Sequence, residues 1–176
     1  MIAPELTADA GTMNPLSTCD LCDEHRNDPV HRFRVLPPVF RDYGARTQFH
    51  GTVATVQCHE DNTSVREAVH SAGHGRVLVV DGGGSLRRAL LGGNLAAAAE
   101  KNGWAGVVID GAVRDLEEMR RCQIGIRALG LMPMATDKRY PGLSNVSIHV
   151  AGVWVHPGEW LVADEDGIIV MAAASH

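Results

Sequence analysis

Arg76-Val77-Leu78-Val79-Val80-Asp81 is an unbroken apolar run closed by Gly82-Gly83-Gly84. A strand with one wet face alternates apolar and polar residues, so a run that is apolar throughout must be covered on both faces, as in an α/β sheet. A second run of this kind, Gly106-Val107-Val108-Ile109-Asp110, follows a small-residue helix, Ala96-Ala97-Ala98-Ala99-Glu100-Lys101, and a turn at Asn102-Gly103. Strand, helix and strand in this order set the fold class as α/β, in one domain with a mixed sheet.

Toward the N-terminus, β-branched Gly51-Thr52-Val53-Ala54-Thr55-Val56-Gln57-Cys58 predicts a strand. Asn62 predicts the cap of a helix running to about Ser71, stopped by Gly73 to Gly75. Pro29 and Pro37-Pro38 make residues 27–38 irregular, and residues 16–25 form a short helix capped by Ser17 or Thr18. Residues 1–15, with Pro4, Gly11 and Pro15, read as a flexible leader, which leaves 16–176 as the single domain.

Toward the C-terminus, Leu86 to Leu91 predicts a helix or helical turn ending at Gly92. Asp115 to about Gln123 predicts another, with Asp115 as N-cap and Glu118 as the return arm of a capping box. Residues 124–131 read as a strand interrupted by Gly125 and Gly130, and residues 136–143 as a polar loop. Val146, Ile148, Val150 and Trp154 lie along a half-exposed strand, and Leu161-Val162-Ala163 pairs with Ile168-Ile169-Val170-Met171 as a hairpin around Asp166-Gly167.

The chain has 176 residues, of which 45% are hydrophobic, enough for one domain with a real core. No apolar run approaches the roughly 20 residues of a membrane helix, and no secretory signal is evident, so the expected location is cytoplasmic. The formal charge is −5, and its 16 basic residues are scattered rather than striped, which argues against a nucleic-acid footprint. Four cysteines, Cys19, Cys22, Cys58 and Cys122, are too sparse for a disulfide scaffold. The Cys19-Asp20-Leu21-Cys22 pair lacks a second pair to complete a zinc set, and the glycines after Asp81 fail the dinucleotide spacing because Arg87 stands where the third glycine belongs.

Two stretches carry chemistry. The turn Gly92-Gly93-Asn94-Leu95 opens the alanine helix, where unpaired backbone N–H groups can cradle a carboxylate. Gly111-Ala112-Val113-Arg114-Asp115 ends the second buried strand with a cation beside an anion. A guanidinium grips carboxylate or keto oxygens, and an Asp holds a hard cation such as Mg²⁺. Converging at one sheet edge, the two stretches suit a small α-keto acid.

Cys58-His59-Glu60-Asp61-Asn62, Val79-Val80-Asp81-Gly82-Gly83-Gly84-Ser85, Gly93-Asn94-Leu95, Trp104-Ala105-Gly106, Gly111-Ala112-Val113-Arg114-Asp115, Ile124-Gly125-Ile126 and Asp166-Gly167-Ile168-Ile169 together resemble the RraA-like family. That family holds the regulator of ribonuclease E activity A and the 4-hydroxy-4-methyl-2-oxoglutarate aldolases. The resemblance implies a β/β/α sandwich of the swivelling, phosphohistidine-domain-like type, assembled as a homotrimer with sites between subunits. It implies Asp115 as the direct protein ligand of a divalent metal, Mg²⁺ or Mn²⁺, Arg114 as a substrate contact, and the turn from Gly92 to Leu95 as a backbone cradle. The implied activity is metal-dependent cleavage to pyruvate with oxaloacetate decarboxylation beside it; the alternative is a non-catalytic regulator that binds ribonuclease E. A methyltransferase label attached to relatives is opposed by the failed glycine spacing. At Gly93 the chain departs from the family's enzymes, which often carry an acid there to help a water take the substrate's hydroxyl proton. That departure implies slow aldol cleavage with decarboxylation retained, unless a neighbouring subunit's carboxylate substitutes.

Overall fold

The computed structural model describes residues 16–173, so the expected leader over residues 1–15 lies outside them. In chain order the elements are α1 (Thr18–Glu24), β1 (Arg34–Val35), β2 (Arg41–Asp42), β3 (Phe49–Gln57), α2 (Thr63–His70), β4 (Val77–Asp81), β5 (Ala89–Leu91) and α3 (Gly93–Lys101). They continue as β6 (Gly106–Val113), α4 (Leu116–Met119), β7 (Gly125–Leu131), β8 (Leu143–Ser144), β9 (Ile148–Val150), β10 (Val153–Val155), β11 (Trp160–Ala163) and β12 (Ile168–Met171).

One curled mixed sheet of order β1-β12-β11-β3-β4-β6-β7-β2 carries the domain, with β5 added to β6 and β8 to β3. Strands β3, β4, β6 and β7 run parallel, while β11, β12 and β1 continue the sheet antiparallel from the other edge of β3. Every residue of β4 and β6 is buried, as their continuous apolar sequences require. Leu78 and Val80 of β4 face a core shared with Val65 and Val69 of α2 and Ala96 and Ala99 of α3. Val77 and Val79 point the other way, into a core with Ile148, Val150, Leu161, Ile168 and Val170. Helices therefore cover one face and β strands the other, the layering expected of the β/β/α sandwich.

Phe49 ties the two halves of the sheet together. Gly106 and Gly125 are cross-strand partners at the starts of β6 and β7, and the Phe49 ring fills the space where both would carry side chains. A Cβ on Gly106 would stand 2.3 Å from Phe49 Cδ2, and one on Gly125 2.0 Å from Phe49 Cδ1. The ring reaches both strands only because neither has a side chain there.

Several expectations are corrected. Residues 89–91 form β5 rather than a helical turn, because their backbone is captured by parallel pairing with the end of β6. Part of the stretch expected to be irregular, Arg34–Val35, pairs with Val170 and Ile169. The half-exposed strand expected through Val150 and Trp154 is instead a hairpin, β9 and β10, turned by Ala151 and Gly152 at positive φ. Asn62 stands at the N-cap of α2, yet its Oδ1 accepts from Thr136 Oγ1 (2.8 Å), and Asp61 Oδ1 accepts the Thr63 N–H instead (2.8 Å). The N-cap of α1 is as read: Ser17 accepts from Asp20 N, a contact worth about 1 kcal/mol.

Candidate active site

Short β5 runs parallel to the last residues of β6, with Ala89 opposite Ala112 and Leu91 opposite Val113. The Arg114 N–H donates to Leu91 O at 2.9 Å, extending the pairing by one step. This places the first residues beyond β5, the turn at Gly92, directly beside the first residues beyond β6, Arg114 and Asp115.

Asp115 has left-handed backbone (φ 63°, ψ 49°), a conformation that Asp tolerates better than most residues at a cost of roughly 1–2 kcal/mol. The consequence corrects the capping-box expectation. Asp115 stands at the N-cap of α4 but makes no side-chain cap bond there, and α4 is four residues long. Its carboxylate turns toward α3 instead, where Oδ2 accepts the Gly93 N–H at 3.1 Å. Arg114 Nε lies 3.8 Å from the same oxygen, and Arg114 Nη1 donates to Pro133 O at 3.3 Å. A Cβ on Gly92 would fall 2.5 Å from Asp115 Oδ2, so the carboxylate sits there because residue 92 has no side chain.

These groups open onto a cavity of about 340 Å³, within the range of small-molecule sites. It is lined by Gly92, Asn94, Leu95, Arg114 and Asp115, by Asn62 at the N-cap of α2 and Arg66 and His70 within it, and by Ala89, Ala135 and Lys138. Gly93 does not line it, and its N–H is already taken by Asp115, so the backbone cradle expected over Gly92 to Leu95 lacks that amide. Arg66, His70 and Lys138 were not legible as site residues. The available signal was the i, i+4 spacing of Arg66 and His70, which puts both on one face of α2.

Glu118 occupies the place an acid at residue 93 would need. A Cβ built on Gly93 would meet Glu118 Oε2 at 1.9 Å and Glu118 Cβ at 2.5 Å. The turn therefore has no room for a side chain while Glu118 keeps this position.

The donor chemistry around Asp115 fits a hard divalent cation. One carboxylate oxygen is fixed by a backbone N–H, and the other has no hydrogen-bond partner among the described residues. The side chain is 40% exposed, which leaves room for waters and a ligand. Among the described residues no three His, Cys, Asp or Glu side chains cluster to form a closed, zinc-type ligand set. A single carboxylate completed by water and a substrate's oxygens is how Mg²⁺ is commonly held.

Two other acidic groups near the strand ends have structural work. Asp81 Oδ1 accepts the Gly83 N–H at 2.9 Å, and Asp110 Oδ2 accepts the Ala151 N–H at 3.0 Å. Both are buried. Burial, opposed by that N–H and reinforced by the charge of Asp81, holds the Asp110 carboxyl above its usual range. Glu60 is pulled down to about 2 by hydrogen bonds from Arg87 Nε (2.6 Å) and Ser85 Oγ (2.7 Å). The glycines after Asp81 serve close approach and turning: a Cβ on Gly82 would strike Asp110 O at 2.6 Å, and Gly83 and Gly84 have positive φ.

The RraA-like family model, described as Aldolase/RraA, matches residues 18–170. A protein of Albidiferax ferrireducens named "Putative 4-hydroxy-4-methyl-2-oxoglutarate aldolase" is 60% identical over 164 residues, covering 89% of this chain and 95% of its own. A Burkholderia multivorans protein of the same name is 51% identical, covering 90% and 97%. Among solved structures, the RNA-processing inhibitor RraA from Thermus thermophilis superposes with a TM-score of 0.85 at 46% identity, covering 92% of this chain and 95% of that one. A Geobacillus kaustophilus structure described as S-adenosylmethionine: 2-dimethylmenaquinone methyltransferase gives a TM-score of 0.83 at 41% identity, covering 89% and 95%.

Proposed function

We propose that this chain, which belongs to the RraA-like family, is a divalent-metal-dependent aldolase that cleaves 4-hydroxy-4-methyl-2-oxoglutarate to pyruvate and also decarboxylates oxaloacetate. The observation that carries the reading is the convergence of Arg114, Asp115 and the Gly92 turn on one cavity. The names of the Albidiferax and Burkholderia relatives support the same substrate.

Asp115 would hold the cation, Mg²⁺ or Mn²⁺, which when bound supplies positive charge to the keto acid. Arg114 would place a guanidinium on the oxygen where negative charge develops as the carbon–carbon bond breaks, a contact stronger in the transition state than in the ground state. The Asp115 to Gly93 hydrogen bond orients the carboxylate, so Gly93 acts through Asp115 rather than on the substrate. Oxaloacetate decarboxylation needs the same charge stabilisation and no hydroxyl deprotonation, so it asks less of a site with glycine at 93. A homotrimer would cover exposed apolar side chains such as Leu131, Met134, Leu143 and Trp154. A cytoplasmic location agrees with the absence, among the described residues, of any helix long and apolar enough to cross a membrane.

The test is pyruvate release from both compounds by purified protein with Mg²⁺ or Mn²⁺. Turnover that chelator stops supports the reading; turnover indifferent to chelator, or none, rejects it. The second reading is a non-catalytic regulator that binds ribonuclease E, favoured by the likeness to the Thermus RNA-processing inhibitor. Stable binding to ribonuclease E without turnover of either compound selects it.

A further inference from the structure

The cavity carries more positive charge than a keto-acid head group needs. Arg114 and Asp115 line it from just beyond β6, while Arg66 lines it from α2. Arg66 is exposed. Among the described residues its side chain forms no ion pair, whereas Arg114, the other arginine lining the cavity, has the Asp115 carboxylate 3.8 Å away. The first turn of α2 is fixed around it. Asp61 accepts the Thr63 N–H, Thr136 donates to Asn62, and the Arg66 N–H donates to Asn62 O at 2.8 Å. One helical turn on, the His70 ring lies 2.7 Å from Arg66 O, so this end of α2 is held on both sides of the arginine.

We propose that Arg66 is a specificity-determining residue of this site: it takes the distal carboxylate of a 2-oxo diacid whose keto-acid end is held at Arg114 and Asp115. The inference rests on the aldolase reading for its substrate and goes beyond it in naming what distinguishes diacids from monoacids. A guanidinium offers a carboxylate two parallel N–H donors, and one with no carboxylate of its own gives up no ion pair to do so. A monoacid leaves Arg66 hydrated and gains nothing from it, so selection follows from a contact only one substrate class makes.

The experiment compares kcat/KM for 4-hydroxy-4-methyl-2-oxoglutarate and its monocarboxylate counterpart, 4-hydroxy-4-methyl-2-oxopentanoate, in the wild type, Arg66→Ala and Arg66→Lys. Arg66→Ala is expected to lose roughly tenfold on the diacid, mainly through KM, and to leave the monoacid unchanged. Arg66→Lys restores part of the diacid preference. Equal losses on both substrates, or no loss on either, overturn the proposal. Calorimetric titration of the Mg²⁺-loaded protein with 2-oxoglutarate and with pyruvate separates this proposal from the aldolase reading, because it needs no turnover. Tighter binding of 2-oxoglutarate that Arg66→Ala abolishes sustains the role of Arg66 even where no cleavage is found. Equal or absent binding of the two acids overturns it.

Discussion

Asp110 and Asp115 stand five positions apart, within β6 and just beyond its end, and they lead opposite lives. Asp110 is buried, and one of its oxygens is taken by the Ala151 N–H in the turn of the β9–β10 hairpin. Asp115 is half exposed on left-handed backbone, with one oxygen tied to Gly93 and the other without a partner among the described residues. The same functional group is a buried acceptor in one place and a water-facing one in the other. Each has one oxygen bonded by a single backbone N–H; what separates them is burial, since Asp110 is 7% exposed and the Asp115 side chain 40%. A site can be sought as the acid the fold leaves open to water, at a backbone conformation it strains to keep.

The largest test of that contrast is removal of the open carboxylate. Asp115→Asn, which tolerates the same left-handed backbone and keeps an oxygen for the Gly93 N–H, is expected to lower kcat for pyruvate release by more than about a thousandfold with little change in thermal midpoint, because in the proposed function the lost charge is what holds the cation. A variant that keeps most of its turnover would erase the distinction. Arg114→Met follows, with a loss of about a hundredfold or more in kcat/KM on both diacid and monoacid, measured beside Arg66→Ala so that head-group and distal contacts separate.

Next in size is the crowding at the turn. Gly93→Ala is expected to cost about 2 kcal/mol in denaturant unfolding, since Glu118 must leave its place; Gly93→Ala with Glu118→Gly, which also removes the Cβ 2.5 Å away, recovers part of it. Equal destabilisation in the single and double variants would show that Glu118 is not the obstacle.

The smallest effect concerns the closed carboxylate. Asp110 has a raised pKa in the fold, so its ionised form costs stability above that value, and the cost is relieved as pH falls through it toward the unfolded value. Asp110→Asn keeps an acceptor for the Ala151 N–H and removes the charge facing Asp81. It is expected to gain stability at neutral pH, a margin that shrinks on acidification as the wild type takes up its proton. Thermal midpoints measured across that range decide it; a margin that grows on acidification would contradict the assignment.

The buried parallel strands could be read from sequence because coverage on both faces leaves an uninterrupted apolar stretch, as in Val77 to Asp81. Residues 89–91 misled for the converse reason: three residues have no period of their own, and β6 alone decides that they pair. Arg114 and Asp115 were visible as a pair, and their nearness to the Gly92 turn follows from that same pairing. The orientation of the Asp115 carboxylate was not readable, since Asp followed by Glu three residues on spells a helix cap until a positive φ turns the side chain elsewhere. Arg66 left no local mark beyond its i, i+4 spacing with His70. An arginine on a helix surface reads as a solvated charge, and only the placement of α2 against the cavity gives it another part.

Phe49 imposes a constraint on how this fold can drift. One ring stands in for the missing side chains of residues 106 and 125 together, so neither glycine can mutate to a larger residue until the aromatic has shrunk. Once it has, both vacated spaces need filling. The three positions form a single unit of inheritance, and among descendants of this sequence they should change as a set.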